Sequence, residues 1–322
     1  MSVELNDSIS QSLLKSGISS GKLLLAVSGG SDSMALLAAC HGLQEKSDYR
    51  FCVGHFDHGW RPESAQEAEF VRQTAKLLGL DFDSERVPDA ISTNEESARQ
   101  QRYDFLIRLA REQSCLAILT AHTADDQAET VLHHLLRGTG LAGLAGIPAV
   151  RPLDDGILLI RPLLSVSRAE LRDYLSQREL TYRDDPTNET SEYTRGRIRN
   201  ELFPALAGLG FLQVREHLCQ LARQSDDVRE SLSWMAEGIL ETATLEQTEF
   251  ICRLDLKQLR TLPRHLLREV FVALWKRSNW PRQKMGFSEW DRLANLGDGP
   301  LSYQLPGGIA VSIRGDVLRM RS

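Results

Sequence analysis

The chain has no Cys-x-x-Cys spacing, and its five cysteines, Cys40, Cys52, Cys115, Cys219 and Cys252, are odd in number and far apart in sequence. That pattern argues against a disulfide framework, a structural zinc knot and a cysteine-held iron–sulfur cluster. No apolar run approaches the roughly 20 residues that a membrane helix needs. Repeats and low-complexity segments are missing too. The stretch from Met1 to Ser19 is amphipathic and carries acids, unlike a secretory signal. These absences lead to the expectation of a cytoplasmic protein with no membrane partner. What remains is an ordinary globular composition over 322 residues, 42% hydrophobic and 25% charged, long enough for two domains. The formal net charge of -6 does not exclude a nucleic-acid partner, because binding depends on where charge sits.

The most specific feature present is Ser28-Gly29-Gly30-Ser31-Asp32-Ser33. It follows Leu23-Leu24-Leu25-Ala26-Val27, which reads as a buried strand, and precedes Met34-Ala35-Leu36-Leu37-Ala38-Ala39, which reads as the opening of a helix. A strand, a glycine-rich turn and a helix N-terminus together form an anion cradle. Glycine lets backbone N–H groups approach a phosphate, and the helix dipole favours the bound charge. The hydroxyls of Ser28, Ser31 and Ser33 add donors. The motif lacks the lysine of the common phosphate loop and the three spaced glycines of the dinucleotide fingerprint. The plainer alternative is a tight turn with Asp32 or Ser33 capping the helix.

Short apolar runs at 22–27, 51–56, 82–87, 116–121 and 157–160 alternate with helical patterns at 32–45, 64–78, 95–112 and 124–136. That alternation predicts an α/β fold, a Rossmann-like parallel sheet with crossover helices. Ligands of such sheets bind outside the carboxyl ends of the strands. The glycine turn, His55-Phe56-Asp57-His58 and Ala121-His122 all fall at those ends. The pattern loosens after Pro204, which sets expected domains of 1–208 and 209–322. The second reads as mostly helical, with a long helix at 213–245, shorter helices within 254–279 and at 287–296, and short strands at 300–305, 309–313 and 317–320.

Several groupings carry chemistry. Asp125, Asp126 and Glu129 open the helix after His122. Asp126 and Glu129 share a helix face, which suits magnesium or a substrate ammonium group. Favourable alignment with the helix dipole explains one such acid well and three poorly. His55, Asp57, His58, His122, Asp125 and Asp126 are also the ligand types of a two-metal hydrolase, a reading that leaves the glycine turn unused. Arg99 and Arg102 lie three apart near Tyr103; the guanidinium of Arg102 suits a carboxylate or phosphate, while Arg99 reads as a surface partner of Glu95 and Glu96. The glycines between Arg137 and Gly146 imply a helix C-cap and a mobile loop over the crevice. Arg195, Arg197 and Arg199 suggest a phosphate-facing edge. From Lys257 to Phe287 eight basic residues, among them Arg264, Arg268, Lys276 and Arg277, stand against one acid, Glu269, a segment able to hold RNA phosphates. His133, His134 and the tryptophans read as core or surface.

In order, Ser28–Ser33, His55-Phe56-Asp57-His58-Gly59, Asn94 to Tyr103, Ala121 to Thr130, Arg137 to Gly140, Arg161-Pro162-Leu163 and Asp185 to Pro204 resemble the tRNA(Ile)-lysidine synthase family of the PP-loop ATP pyrophosphatase superfamily. The resemblance covers about the first two thirds closely, and the Leu305-Pro306-Gly307-Gly308 tail less specifically. Thr123 stands where the family usually has a second His, Trp60 where it has Leu, and Gly196 where it has Asn. The resemblance implies an adenine nucleotide alpha hydrolase-like fold and a cytoplasmic ATP-dependent ligase. It implies that free L-lysine is joined to carbon 2 of the wobble cytidine of CAU-anticodon tRNA(Ile), changing codon specificity from AUG to AUA. By the same resemblance ATP lies on Ser28, Gly29, Gly30, Ser31, Asp32 and Ser33 with His55 and Asp57, and Mg2+ on Asp32 and Asp125. Lysine lies on Arg102, Asp126 and Glu129, and tRNA on Arg195, Arg197, Arg199, Arg264, Arg268, Lys276 and Arg277. No structural metal is implied, and a homodimer is compatible with the sequence. Thiolating relatives normally need paired or catalytic cysteines, amidotransferase-coupled synthetases need a further domain, and a non-catalytic ATP sensor leaves the acids and the basic segment without a role.

Overall fold

The computed structural model describes residues 5–59, 64–87, 95–154, 156–183, 194–296 and 302–322. Trp60, Asn94, the turn at 184–188 and Pro300 lie outside the described residues. The chain forms two compact units, Met1–Arg223 and Gln224–Ser322. The division lies beyond Gly208, the end expected from the sequence, and falls within the helix Val214–Ala243.

The first unit opens with α1 (Leu5–Lys15), β1 (Gly21–Ala26), α2 (Ser31–Gln44), β2 (Tyr49–Asp57), α3 (Ser64–Leu77) and β3 (Asp81–Arg86). It continues with α4 (Glu95–Glu112), β4 (Ala117–Thr120), α5 (Ala124–Leu136), α6 (Leu141–Leu144), β5 (Val150–Asp154), β6 (Ile157–Ile160) and α7 (Arg168–Ser176). Then come α8 (Thr194–Arg197), a π-helical turn (Ile198–Leu202) and α9 (Phe203–Gly208). The sheet order is β3-β2-β1-β4-β6-β5, parallel except for β5, which returns antiparallel beside β6. The five expected strands and four expected helices of this unit all form; β5 is an addition that its charged, proline-containing sequence Val150-Arg151-Pro152-Leu153-Asp154 disguised.

Strand alternation explains why the sheet is covered on both faces. Leu23 and Leu25 of β1 pack in one apolar cluster with Leu5, Ile9, Leu37 and Leu171, whereas Leu24 packs in another with Leu106 and Leu109. Phe51 and Val53 against Cys52, and Ala117 and Leu119 against Ile118, repeat the division. Period-two alternation puts neighbours on opposite faces, and both faces are apolar because helices cover both. Chain order reverses between β1 and β4: β2 and β3 lie on one side of β1, and β4 and β6 on the other. That topological switch opens a crevice at the carboxyl ends of β1 and β4. The glycine turn follows β1, and His122 to Asp126 follow β4.

The second unit contains most of α10 (Val214–Ala243), then β7 (Thr244–Gln247), β8 (Ile251–Asp255), α11 (Leu256–Leu259), α12 (Arg264–Arg277), α13 (Phe287–Ala294), β9 (Ser302–Gln304), β10 (Ala310–Arg314) and β11 (Val317–Arg321). Its antiparallel sheet runs β7-β8-β11-β10-β9. The three terminal strands are as expected. The start of the 254–279 segment is strand rather than helix: Cys252 and Leu254 are buried while Arg253 is exposed, a period-two signal, and Asp255 then caps α11 through Lys257 N at 2.8 Å. Trp275 anchors the core, edge-on to Trp280 at 4.9 Å and to Trp290 at 5.2 Å.

Candidate active site

The glycine turn is held open by its own backbone. Gly29 has φ +98, a left-handed value that a side chain would strain, and a Cβ there would meet Val71 at 3.3 Å. The N-cap of α2 is Gly30, and among the described residues no side-chain cap bonds that helix end. The first-turn N–H groups are therefore available to an anion. Neither Asp32 nor Ser33 is the cap. Ser33 is buried and braces the loop instead: its hydroxyl accepts from Ser28 N at 3.2 Å and Gly29 N at 3.1 Å and donates to Gly30 O at 2.9 Å. Arg183 N donates to Gly29 O at 3.0 Å from the other side. His55, also buried, pairs its Nδ1 with Val27 O at 2.9 Å, and burial lowers its pKa. A neutral His55 that donates from Nδ1 fixes the last residue before the loop. Asp57 accepts from Gly59 N at 2.8 Å and faces Arg86 at 3.6 Å, so it shapes the turn after β2.

Across the crevice, Thr123 and Asp126 form a reciprocal cap on α5. Asp126 N donates to Thr123 Oγ1 at 3.3 Å, while Thr123 N and Oγ1 donate to Asp126 Oδ2 at 2.9 and 3.0 Å. Oδ2 of Asp126 is thereby committed to the cap, and Oδ1 faces the site.

One residue joins the two halves, and the sequence reading missed it. Arg168, the first residue of α7, places Nε 3.3 Å from Asp32 Oδ2, Nη1 3.0 Å from Glu129 Oε1, and Nη2 against Asp126 Oδ1. Its backbone N donates to Asp125 Oδ2 at 2.9 Å. Burial acts to lower the pKa of this guanidinium, but Asp126, Glu129 and Asp32 outweigh it and hold the charge firmly. The available signal was Ser167-x-x-Glu170, a capping box that fixes Arg168 at the opening of a helix.

Arg199, expected on an RNA-facing edge, points inward. The π-helical turn presents it to Glu129 as a fork, Nε to Oε1 at 2.7 Å and Nη2 to Oε2 at 2.9 Å, and Nη2 lies 3.8 Å from Asp126 Oδ1. Arg197 remains exposed beside Glu201, and Arg195 is exposed. Asp125 faces Arg215 at 3.5 Å, so both its oxygens tie α5 to neighbouring segments rather than to the glycine turn. Asp32 stays close to the turn. Its pKa is raised by burial, against Arg168 and with help from Asp126.

The histidines do not assemble with these acids. His122 bonds Thr120 Oγ1 at 2.9 Å, and its pKa is pushed down to about 3 by burial and then by Arg161, Arg102, Arg99 and Arg195. Among the described residues no group of three His, Cys, Asp or Glu side chains is arranged to hold a metal ion, so the two-metal constellation does not form there. Arg102 lies in this arginine-rich region, its guanidinium 5.4 Å from the centre of the Tyr103 ring, apart from the contacts that join Asp126 and Glu129. The 137–146 loop is pinned: Gln127 donates to Ala145 O at 3.1 Å and accepts from Ile147 N at 2.6 Å, and His134 bonds Gly143 O at 2.8 Å.

In the second unit, acids distant in sequence reach the basic segment. Arg264 and Arg268 both hold Asp291 at 2.7 Å, Arg277 holds Glu237 at 2.8 Å, and Lys257 and Arg260 face Asp316 at 3.5 and 3.1 Å. Lys276 is exposed on the last turn of α12. The segment is thus less uniformly cationic than its sequence suggested.

The PP-loop domain family matches residues 1–206. A tRNA(Ile)-lysidine synthase from a Synechococcus species is 34% identical over 302 residues, spanning 94% of this chain and 91% of the relative. One from a Nostoc species is 32% identical over 319 residues, with 94% and 91% spanned. Among solved structures, a U34-tRNA thiolase from Methanococcus maripaludis superposes with a TM-score of 0.57 at 15% identity, covering 69% of this chain and 79% of that one, a likeness of fold. With a glycine-rich turn and a carboxylate cluster meeting at the β1/β4 switch point, and these relatives over nearly its whole length, the chain belongs to the tRNA(Ile)-lysidine synthase family of PP-loop proteins.

Proposed function

We propose that the protein joins free L-lysine to carbon 2 of the wobble cytidine of CAU-anticodon tRNA(Ile) in two steps. In the first, the cytosine carbonyl oxygen attacks the α-phosphorus of ATP and pyrophosphate leaves. In the second, the lysine ε-amine forms a bond to carbon 2, the bond from carbon 2 to the adenylate oxygen breaks, AMP leaves, and the amine sheds a proton.

One observation carries this reading. A single guanidinium, Arg168, touches both Asp32 of the phosphate turn and the Asp126–Glu129 pair. The activating and the amine-binding halves therefore lie within one side chain's span, as a two-step reaction at one carbon requires. Asp32, Asp126 and Glu129 carry three negative charges against the two positive charges of Arg168 and Arg199. The remaining unit of negative charge suits one lysine ammonium on Asp126 and Glu129, and Arg102 suits the lysine carboxylate. The uncapped N-terminus of α2 takes the departing pyrophosphate, and His55 and Asp57 keep the loop in register.

Asp32 fits a magnesium ion: it is an oxygen donor beside that N-terminus, and burial leaves its carboxylate in want of positive charge. Magnesium bound there offsets the charge that develops on the leaving phosphates. The second unit, with Arg264, Arg268, Lys276 and Arg277, serves as the tRNA-binding domain beside the catalytic first unit.

The test is incorporation of labelled lysine into a CAU-anticodon tRNA(Ile) transcript. One AMP and one pyrophosphate per lysine are expected. Cleavage of phosphate esters without ATP or lysine would instead support a hydrolase. Asp126→Asn is expected to raise KM for lysine roughly 10- to 100-fold, as loss of a charged contact does, with ATP affinity changing far less. Equal loss of both would move Asp126 to the nucleotide.

A further inference from the structure

At the carboxyl edge of β4 and β6, arginines converge that the reaction above does not use. The guanidiniums of Arg99 and Arg151 lie 5.6 and 5.4 Å from the centre of the Tyr103 ring. Arg161, directly after β6, is only 3% exposed; Nη1 donates to Pro148 O at 2.6 Å, and Nε has no partner. The Tyr103 hydroxyl is buried, and the groups that act on it are the guanidiniums around it, Arg102, Arg151 and Arg161. Burial raises this phenol, yet the charges of Arg102, Arg99 and Arg161 outweigh it and the net shift is downward. Arg195 joins the same field at His122. Among the described residues no carboxylate pairs with Arg99, Arg102, Arg151, Arg161 or Arg195. Every arginine of the neighbouring carboxylate cluster, by contrast, has an acid.

Burying positive charge without a counterion is costly, and here no counterion comes from the described residues. The buried Arg161 Nε–H without a partner marks the place where an acceptor is missing. One lysine carboxylate, held by Arg102, neutralises a single charge. The remaining arginines call for an anion with several acceptor oxygens repeated along a chain. Exposed Arg99 and Arg195 extend the field outward from buried Arg161, which suits a strand that enters from solvent.

We infer that Arg99, Arg151 and Arg161, gathered about Tyr103, form a binding pocket for the backbone phosphate of a single-stranded RNA segment. The inference rests on the tRNA reading above and adds a site to it. The pocket positions the strand; it takes no part in bond making.

The experiment measures tRNA affinity of the full chain against salt, alongside KM for lysine and for ATP. Arg99→Gln, at an exposed position, and Arg151→Gln are each expected to weaken tRNA binding roughly 5-fold and to reduce the slope of log K against log salt by about 0.7 to 1, with both KM values unchanged. Arg151→Lys keeps the charge and is expected to retain the slope. If either glutamine variant keeps the wild-type slope and affinity, the pocket is not a phosphate site. If KM for lysine rises while the tRNA slope stays, the pocket belongs to the amino-acid carboxylate and the inference is overturned. A wild-type chain that binds no tRNA would instead overturn the functional reading itself, so the two failures are distinguishable.

Discussion

The carboxylate cluster and the arginine pocket sit at the same edge of one sheet and handle charge in opposite ways. Asp32, Asp126 and Glu129 are threaded together by Arg168 and Arg199, so the cluster is nearly balanced without a ligand. Around Tyr103, arginines stand against one another, and among the described residues none of them pairs with a carboxylate. The first region is held by the protein's own ion pairs, and in the proposed function its small residual charge selects the ligand. The second is the region proposed above to take an RNA phosphate. Charge count alone does not separate a structural network from a binding site; the state of pairing does.

The largest expected effect tests the first half of that contrast. Arg168→Met leaves three carboxylates facing one another with Arg199 alone. Removing one partner of such a network costs about 3 kcal/mol, and because Arg168 is partly exposed the loss falls at or below that figure. The loss is largest near neutral pH and shrinks below roughly pH 4, where ordinary carboxylates take up protons. Urea midpoints at pH 7 and pH 4 read it. Arg151→Met removes an uncompensated charge and is expected to leave the ligand-free stability unchanged or raised. If both variants destabilise equally, the two regions are not different in kind.

The intermediate effect is a pH dependence centred on His122. Its folded pKa of about 3 lies below the unfolded value of 6.5. The unfolded chain therefore takes up a proton as pH falls below about 6.5, while the folded chain resists until about 3. Stability drops through that window and is fully present above it. His122→Asn is expected to flatten the acid limb, measured as the denaturation midpoint between pH 7 and pH 4. His55 and His58, also lowered by burial, keep part of the slope in the variant. An imidazole resonance of His122 that titrates near its ordinary value would show that the surrounding charge is already neutralised, and the contrast would fail.

How much of this was legible beforehand differs by region for physical reasons. The parallel sheet was readable because strands buried on both faces, such as Leu23-Leu24-Leu25, leave near-continuous apolar runs between helical periods. The carboxylates were readable because Asp125, Asp126 and Glu129 are close in sequence and share one helix. Arg168 was not, because its meaning lies in the meeting of α7 with α2 and α5, a relation that no local pattern carries. Arg151 hid in a strand whose charges and proline disguised it, and Arg161 stood in a recognised triplet without its neighbours. The opposite error occurred in the second unit: eight basic residues in one segment looked uncompensated, while Asp291, Glu237 and Asp316 arrive from elsewhere in the chain to pair with five of them. Sequence locates charges; the fold decides which of them remain free.

The smallest effect concerns Thr123, where the family usually carries histidine. In this chain Thr123 is fully buried and its hydroxyl completes the cap on α5, which fixes Asp126 Oδ2 and leaves Oδ1 to the site. Thr123→Ala removes the hydroxyl and is expected to cost about 1 kcal/mol, the usual worth of such a cap. Thr123→Ser keeps the hydroxyl and should restore most of it. The activity readout is more discriminating than the stability. Freed from the cap hydroxyl, Asp126 gains rotational freedom and holds an ammonium less well, so KM for lysine is expected to rise a few-fold in the alanine variant and to return in the serine variant. ATP affinity, governed by the turn after β1, should not move. A rise in the ATP constant with lysine unchanged would mean that the cap serves the nucleotide half, and that the carboxylate cluster is not divided as its hydrogen bonds indicate.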